Sequence, residues 1–151
     1  MKLKEKIYAD FITAMKAKDE VAKSALSSIK AKITEGEKAK GRAAASDDDI
    51  LKIIVKAVKQ REESQAIYEK ASRAELAHAE ASEADVLRNY LPQQMNDEEI
   101  ELALREIIQD MSVVTTNPQA LAGKSMGEFT KKYNGRADMA NVKQIVTKII
   151  E

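Results

Sequence analysis

The chain has 151 residues, 44% of them hydrophobic, with 25 basic and 25 acidic side chains and no cysteine. That is enough apolar material for one domain or two small lobes, and it excludes disulfides and thiolate metal sites. The opening stretch MKLKEKIYADF lacks the apolar run of a signal peptide, and ILKIIVKAV is too short and too lysine-rich to span a bilayer, so a cytoplasmic location without a membrane partner is expected.

Glycine and proline are scarce (5 and 2), while Ala, Glu, Lys, Ile and Leu are common, which favours helix throughout. Leu3, Ile7, Phe11 and Met15 recur every four residues and predict an amphipathic helix over 3–17. A second helix starts near Glu20 and carries Val21, Leu26, Ile29 and Ile33 on one stripe. It is expected to fray through EGEKAKGRAAAS, where Gly36 and Gly41 sit among small and charged residues.

Ser46 and Asp49 have the spacing of a capping box, followed by a helix over 47–71 that uses Ile50, Ile54, Val58 and Tyr68. Its polar middle, KQREESQ, is expected to run past the core. Ser72 and Glu75 form a second box, opening a helix to about Tyr90 with Leu76, Val86 and Leu87 apolar. Pro92 ends it, because the residue before proline avoids the αR region.

Asn96 and Glu99 make a third box for a helix over 97–111, with Ile100, Leu104, Ile107, Ile108 and Met111 apolar. SVVTT is briefly strand-like. Asn117 and Pro118 read as N-cap and first helical residue, and the helix ends at Asn134-Gly135. Leu121 falls off its apolar stripe, which places the start of regular helix later than Pro118 implies. Asp138 caps a last helix with Val142, Ile145, Val146, Ile149 and Ile150. The fold class is therefore all-α, with a helical N-terminal lobe over 1–92 and a three-helix C-terminal lobe over 93–151.

Charge is unevenly spread. Residues 46–110 carry sixteen acidic and eight basic side chains, whereas 111–151 carry six basic and three acidic ones. Basic ends around an acidic middle suit polyanion contact, or a solvated helical surface with uneven charge.

Gly123-Lys124-Ser125 is the ending of a phosphate-binding P-loop. Such a loop needs a glycine five residues before Gly123, and that position is Pro118, which has no N–H to offer. On a helix, Met126, Phe129, Thr130, Tyr133 and Ala122 gather as a core stripe. Lys124 and Lys131 fall within about 20° of each other on the far side. Gly123 and Gly127 lie between the two faces, one turn apart. Their absent side chains admit either a neighbouring helix or a phosphate backbone.

Lys131, Lys132, Arg136 and Lys143 crowd around NGRAD, where cationic side chains and a fresh helix N-terminus suit phosphate oxygens. His78 follows Glu75 in a Glu-x-x-His half-motif of di-iron bundles. With a single histidine in the chain it reads as a helix-surface residue, and no metal or other cofactor is expected.

Three stretches, LRNYLPQQMNDEEI, KQREESQAIYEKASRAELAHAEASE and GKSMGEFTKKYNGRADMANV, closely resemble the GatB/YqeY family of stand-alone helical proteins over nearly the whole chain. The YLPQQM step, Arg73 with Leu76, and NGRAD are the most specific parts. The resemblance implies an α-helical N-terminal lobe and a small helical C-terminal lobe. The latter is similar to the tail of the GatB subunit of tRNA-dependent amidotransferase, the enzyme that converts misattached glutamate or aspartate on tRNA to glutamine or asparagine. In that enzyme the ATP and Mg²⁺ chemistry belongs to a separate catalytic domain, and the tail contacts the tRNA body.

Carried over, the tail motif falls on Gly123, Lys124, Met126, Gly135, Arg136, Ala137 and Asp138. Leu121-Ala122 stand where relatives commonly have Asp-Met, so a helix cap would move to Asn117.

Three functions follow as expectations. One is a non-catalytic tRNA-interacting module using Lys124, Lys131, Lys132, Arg136 and Lys143, with Gly123, Gly127 and Gly135 allowing close approach. Another is an adaptor for an aminoacyl-tRNA synthetase or amidotransferase. The third, a free-standing amidotransferase, lacks any visible nucleophile, ammonia-generating dyad or metal cluster, so the reading leans away from an enzyme.

Overall fold

Seven α-helices and no strand make up the described residues, 2–113 and 115–151, of a computed structural model. The helices are α1 (Leu3–Ala17), α2 (Glu20–Ala39), α3 (Asp47–Lys70), α4 (Ala74–Arg88), α5 (Asp97–Met111), α6 (Pro118–Tyr133) and α7 (Met139–Ile150). The fold is all-α, as the sequence implies. The chain divides into two compact units, Met1–Leu91 and Pro92–Glu151, each with its own apolar core. Strand-like SVVTT includes Val114, which lies outside the described residues. Its neighbours Ser112, Val113 and Thr115 form no strand.

In the N-terminal unit, Ile7, Leu26, Ile29, Ile33, Ile50, Ile54 and Leu87 are fully or almost fully buried. Met15 and Val21 were both assigned to apolar stripes, but they are 47% and 40% exposed. A four-residue step advances 40° around a helix, so Met15 lies about 120° from Leu3, and Ala14 takes the buried place. Val21 lies about 90° from the centre of the α2 stripe.

The Ser46–Asp49 capping box forms with both reciprocal bonds, at 3.1 Å each. The Ser72–Glu75 box does not. Ser72 takes a left-handed conformation (φ 58°), so the Arg73 N–H reaches back to the Tyr68 carbonyl at 2.8 Å. Arg73 becomes the N-cap of α4 without a side-chain bond. Glu75 then sits one place too early to close a box. Leu76, assigned to the core, is 43% exposed.

Nor does α2 fray at Glu35. It continues to Ala39, and Gly36 lies inside it. The polar middle of α3 does not simply leave the core either. Arg61 Nη2 meets Ser28 Oγ of α2 at 2.8 Å and Glu83 of α4 at 3.6 Å, and Arg88 of α4 meets Glu62 at 2.8 Å. These polar contacts cross-brace three helices where apolar residues run out.

The C-terminal unit packs Ile100, Leu104 and Ile107 of α5, Phe129 of α6, and Val142 and Val146 of α7 around one core. Asn96 and Glu99 close their box at the start of α5. Asn117 Oδ1 accepts from the N–H groups of Gln119 and Ala120, and Pro118 is already helical. Regular helix therefore begins where the cap and proline place it, and Leu121 does not delay it.

Glu37 ties the loop between α2 and α3 to α1. Its carboxylate accepts from Lys4 Nζ at 2.7 Å and the Ala45 N–H at 2.9 Å, and the Lys4 bond holds its pKa below the ordinary 4.5. The backbone N–H of Ser46 does the same for Asp49, below its ordinary 3.8. Carboxylates with lowered folded pKa values contribute stability above their unfolded values, and it is lost as pH falls through the folded ones. Stability should therefore decline below about pH 4.5, and Glu37→Gln should flatten that decline in an acid series of urea melts.

Candidate nucleic-acid interface

The C-terminal unit is organised by its connecting segments. Arg136 Nε donates to the Gln93 carbonyl at 2.9 Å, Gln94 Nε2 to the Gly135 carbonyl at 2.6 Å, and the Met95 N–H to the Arg136 carbonyl at 2.9 Å. Residues 93–95 are thus laced to the turn between α6 and α7. Gly135 is buried there with φ 79°, a conformation that costs any residue with a Cβ. The Arg136 guanidinium also lies 5.7 Å from the centre of the Tyr133 ring.

Each sequence-selected residue has a definite place. Lys124, Lys131, Lys132 and Lys143 are exposed. Lys131 pairs with Glu128 at 3.4 Å, an exposed contact worth little. Lys124, Lys132 and Lys143 have no ion pair among the described residues. Lys124 and Lys131 share one face of α6. Lys132 is turned about 100° from Lys131, and Lys143 belongs to α7. Arg136 stands apart as a half-buried residue of the turn.

Gly123 and Gly127 are exposed inside α6, and a Cβ built on either meets nothing within 4 Å. No helix of this unit fills the space they leave. The α7 N-terminus does not offer free N–H groups in the way the sequence suggests, because Asp138 caps it and accepts from the Asn141 N–H at 3.2 Å. That carboxylate takes the position an anion would need. Phosphate contact in this unit would therefore depend on the lysine side chains and the open α6 backbone.

Ser125 was noticed only as part of the P-loop ending. It lies mid-helix and wholly buried, and its hydroxyl has no hydrogen-bond partner among the described residues. Gly123-Lys124-Ser125 therefore spends its backbone on the helix ladder rather than on a phosphate loop. His78 is exposed, and no cluster of His, Cys, Asp or Glu among the described residues is arranged for a metal ion. No helix among them is long and apolar enough to cross a membrane.

Three stability effects follow. Replacing Ser125 by Ala removes an unsatisfied buried hydroxyl and should stabilise the chain by about 1 kcal/mol in urea melts. Gly123→Ala and Gly127→Ala should each add about 0.5–1 kcal/mol, since the new methyl groups enter open space and alanine favours helix. Arg136→Ala should instead cost about 1–2 kcal/mol, because it opens the link to Gln93.

No curated protein matches the chain. The family model described as Yqey-like protein matches residues 4–150, almost its full length. The chain belongs to the YqeY-like protein family.

Proposed function

We propose that the C-terminal unit is a non-catalytic tRNA-binding surface centred on the exposed face of α6. The observation that carries this reading is the pair Gly123 and Gly127, open to solvent beside Lys124 and Lys131. Mid-helix glycines are unfavourable, and no packing within the unit offsets these two. A polyanionic backbone can approach such a face closely, with lysines meeting its phosphates. The resemblance of GKSMGEFTKKYNGRAD to the GatB tail, which contacts tRNA, points the same way.

Arg136 plays a different part from the lysines in this reading. Its Nε and its ring contact hold the turn that places α7, so it acts first as a positioning residue. Binding rests on Lys124, Lys131, Lys132 and Lys143. Base reading is not part of the function, since Phe129 is buried and Tyr133 packs 5.0 Å from its ring.

Four phosphate contacts give a log–log salt slope of roughly −3 to −4 for total tRNA in filter-binding assays. Lys124→Glu with Lys131→Glu should reduce affinity by at least about tenfold and flatten the slope by about 2. Gly123→Ala with Gly127→Ala should weaken binding while raising thermal stability, a combination that general destabilisation cannot produce. Binding insensitive to salt and to both double variants would refute the proposal. A protein partner retained at high salt after nuclease treatment would favour the adaptor reading instead.

A further inference from the structure

The N-terminal unit contains a crevice that the tRNA reading does not use. Antiparallel α2 and α3 leave a cavity of about 600 Å³ between Ser28 and Ala39 on one wall and Ile53 and Arg61 on the other. It continues through Gly36 and Ile53 into a smaller recess of about 190 Å³ bounded by Lys40, Asp49 and Lys52. The combined crevice follows about 18 Å of α2, twelve residues at the helical rise. Its larger part falls in the range of roughly 300–1,000 Å³ common to small-ligand clefts.

The floor is apolar. Ile29, Ile53, Ala57 and Ala39 line it, and Gly36 leaves its centre open, since a Cβ there meets nothing within 4 Å. The rim is cationic in excess. Each acidic group at the crevice already has a cation: Glu35 has Lys32 at 3.5 Å, Glu37 has Lys4 at 2.7 Å, and Asp49 has Lys40 at 3.2 Å. Arg61 is taken up by Ser28 and Glu83. Lys52 and Lys56 remain, exposed, one turn apart on α3, and without an ion pair among the described residues.

We infer that this crevice binds a small amphiphilic anion, an alkyl or aryl body lying over Ile29, Ile53 and Ala57 with a carboxylate or phosphate head between Lys52 and Lys56. The cavity has the volume of a small-ligand cleft, and Lys52 and Lys56, one turn apart, offer a place for a single anionic head. The leftover positive charge selects an anion over a neutral amphiphile.

The test is an amide NMR titration of the whole chain with dodecanoate or dodecyl phosphate, each below its micelle concentration, and with dodecanol as the neutral comparison. Saturable one-to-one shifts at Gly36, Ala39 and Ile53 are expected with at least one anion. The tighter head group distinguishes a free acid from a phosphate ester. Lys52→Glu with Lys56→Glu should weaken that anion by about tenfold or more. Gly36→Leu places a side chain in open space at the centre of the crevice. It should abolish the shifts while preserving a folded spectrum, because leucine is the better helix former. Failure of both anions to saturate, equal binding of dodecanol, or unchanged binding to the Gly36→Leu protein would each overturn the inference.

Discussion

The C-terminal unit depends on one polar clasp. Residues 93–95 lie just after Pro92 and have no helix of their own to satisfy their backbone groups. Two of them are satisfied on the turn at 135–136, the Gln93 carbonyl by Arg136 Nε and the Met95 N–H by the Arg136 carbonyl, and Gln94 Nε2 in return donates to the Gly135 carbonyl. Gly135 is buried, so its carbonyl left without Gln94 would carry a penalty of about 1–3 kcal/mol. The clasp also fixes Gly135 in its left-handed conformation, and through it the direction in which α7 leaves α6. Asn141 Nδ2, bonded to Asp97 Oδ1 at 2.8 Å, adds a second tie between the starts of α5 and α7. With both ties made, Phe129, Val142 and Val146 meet Leu104 in one core.

The clasp joins Gln93, Gln94 and Met95 to the NGRAD turn, about forty residues further along the chain. Neither stretch carries its partner's identity locally, so the sequence reading could single out both without linking them. Arg136 illustrates the point. Its position beside lysines suggests a phosphate ligand, and only the fold reveals that its Nε also holds the Gln93 carbonyl and that its guanidinium lies beside the Tyr133 ring.

The legible features were local ones. Ser46 with Asp49, Asn96 with Glu99, Asn117 with Pro118, and Asp138 all mark helix starts, because a cap is decided within three or four residues. Features that depend on a distant partner were not legible. Ser72 has the right spacing to Glu75, but the chain turns through Ser72 in the left-handed region and moves the start of α4. Arg61 looked like a solvated residue of a polar stretch until Ser28 and Glu83 were brought to it. Apolar spacing alone misplaced Met15, Val21 and Leu76; for Met15 the cause is a stripe read at four-residue steps, which drifts off the buried face.

The helical glycines connect the energetics to function. Gly36, Gly123 and Gly127 each lie within a helix, and each faces open space rather than a packed neighbour. Alanine at any of them would favour the fold by about 0.5–1 kcal/mol without a clash. Close packing within either unit therefore does not account for them. In both units the glycine borders exposed lysines with no strong internal partner: Lys52 and Lys56 across from Gly36, and Lys124 and Lys131 beside Gly123 and Gly127. Absent side chains beside exposed, weakly held positive charge make a surface that is less than optimal for the free chain and well suited to an anionic visitor. The two proposed sites differ in what surrounds that opening. On α6 it is a convex, lysine-bearing helix face, which suits an extended polyanion. Between α2 and α3 it is a furrow floored by isoleucine and alanine, which suits a small anion with an apolar body.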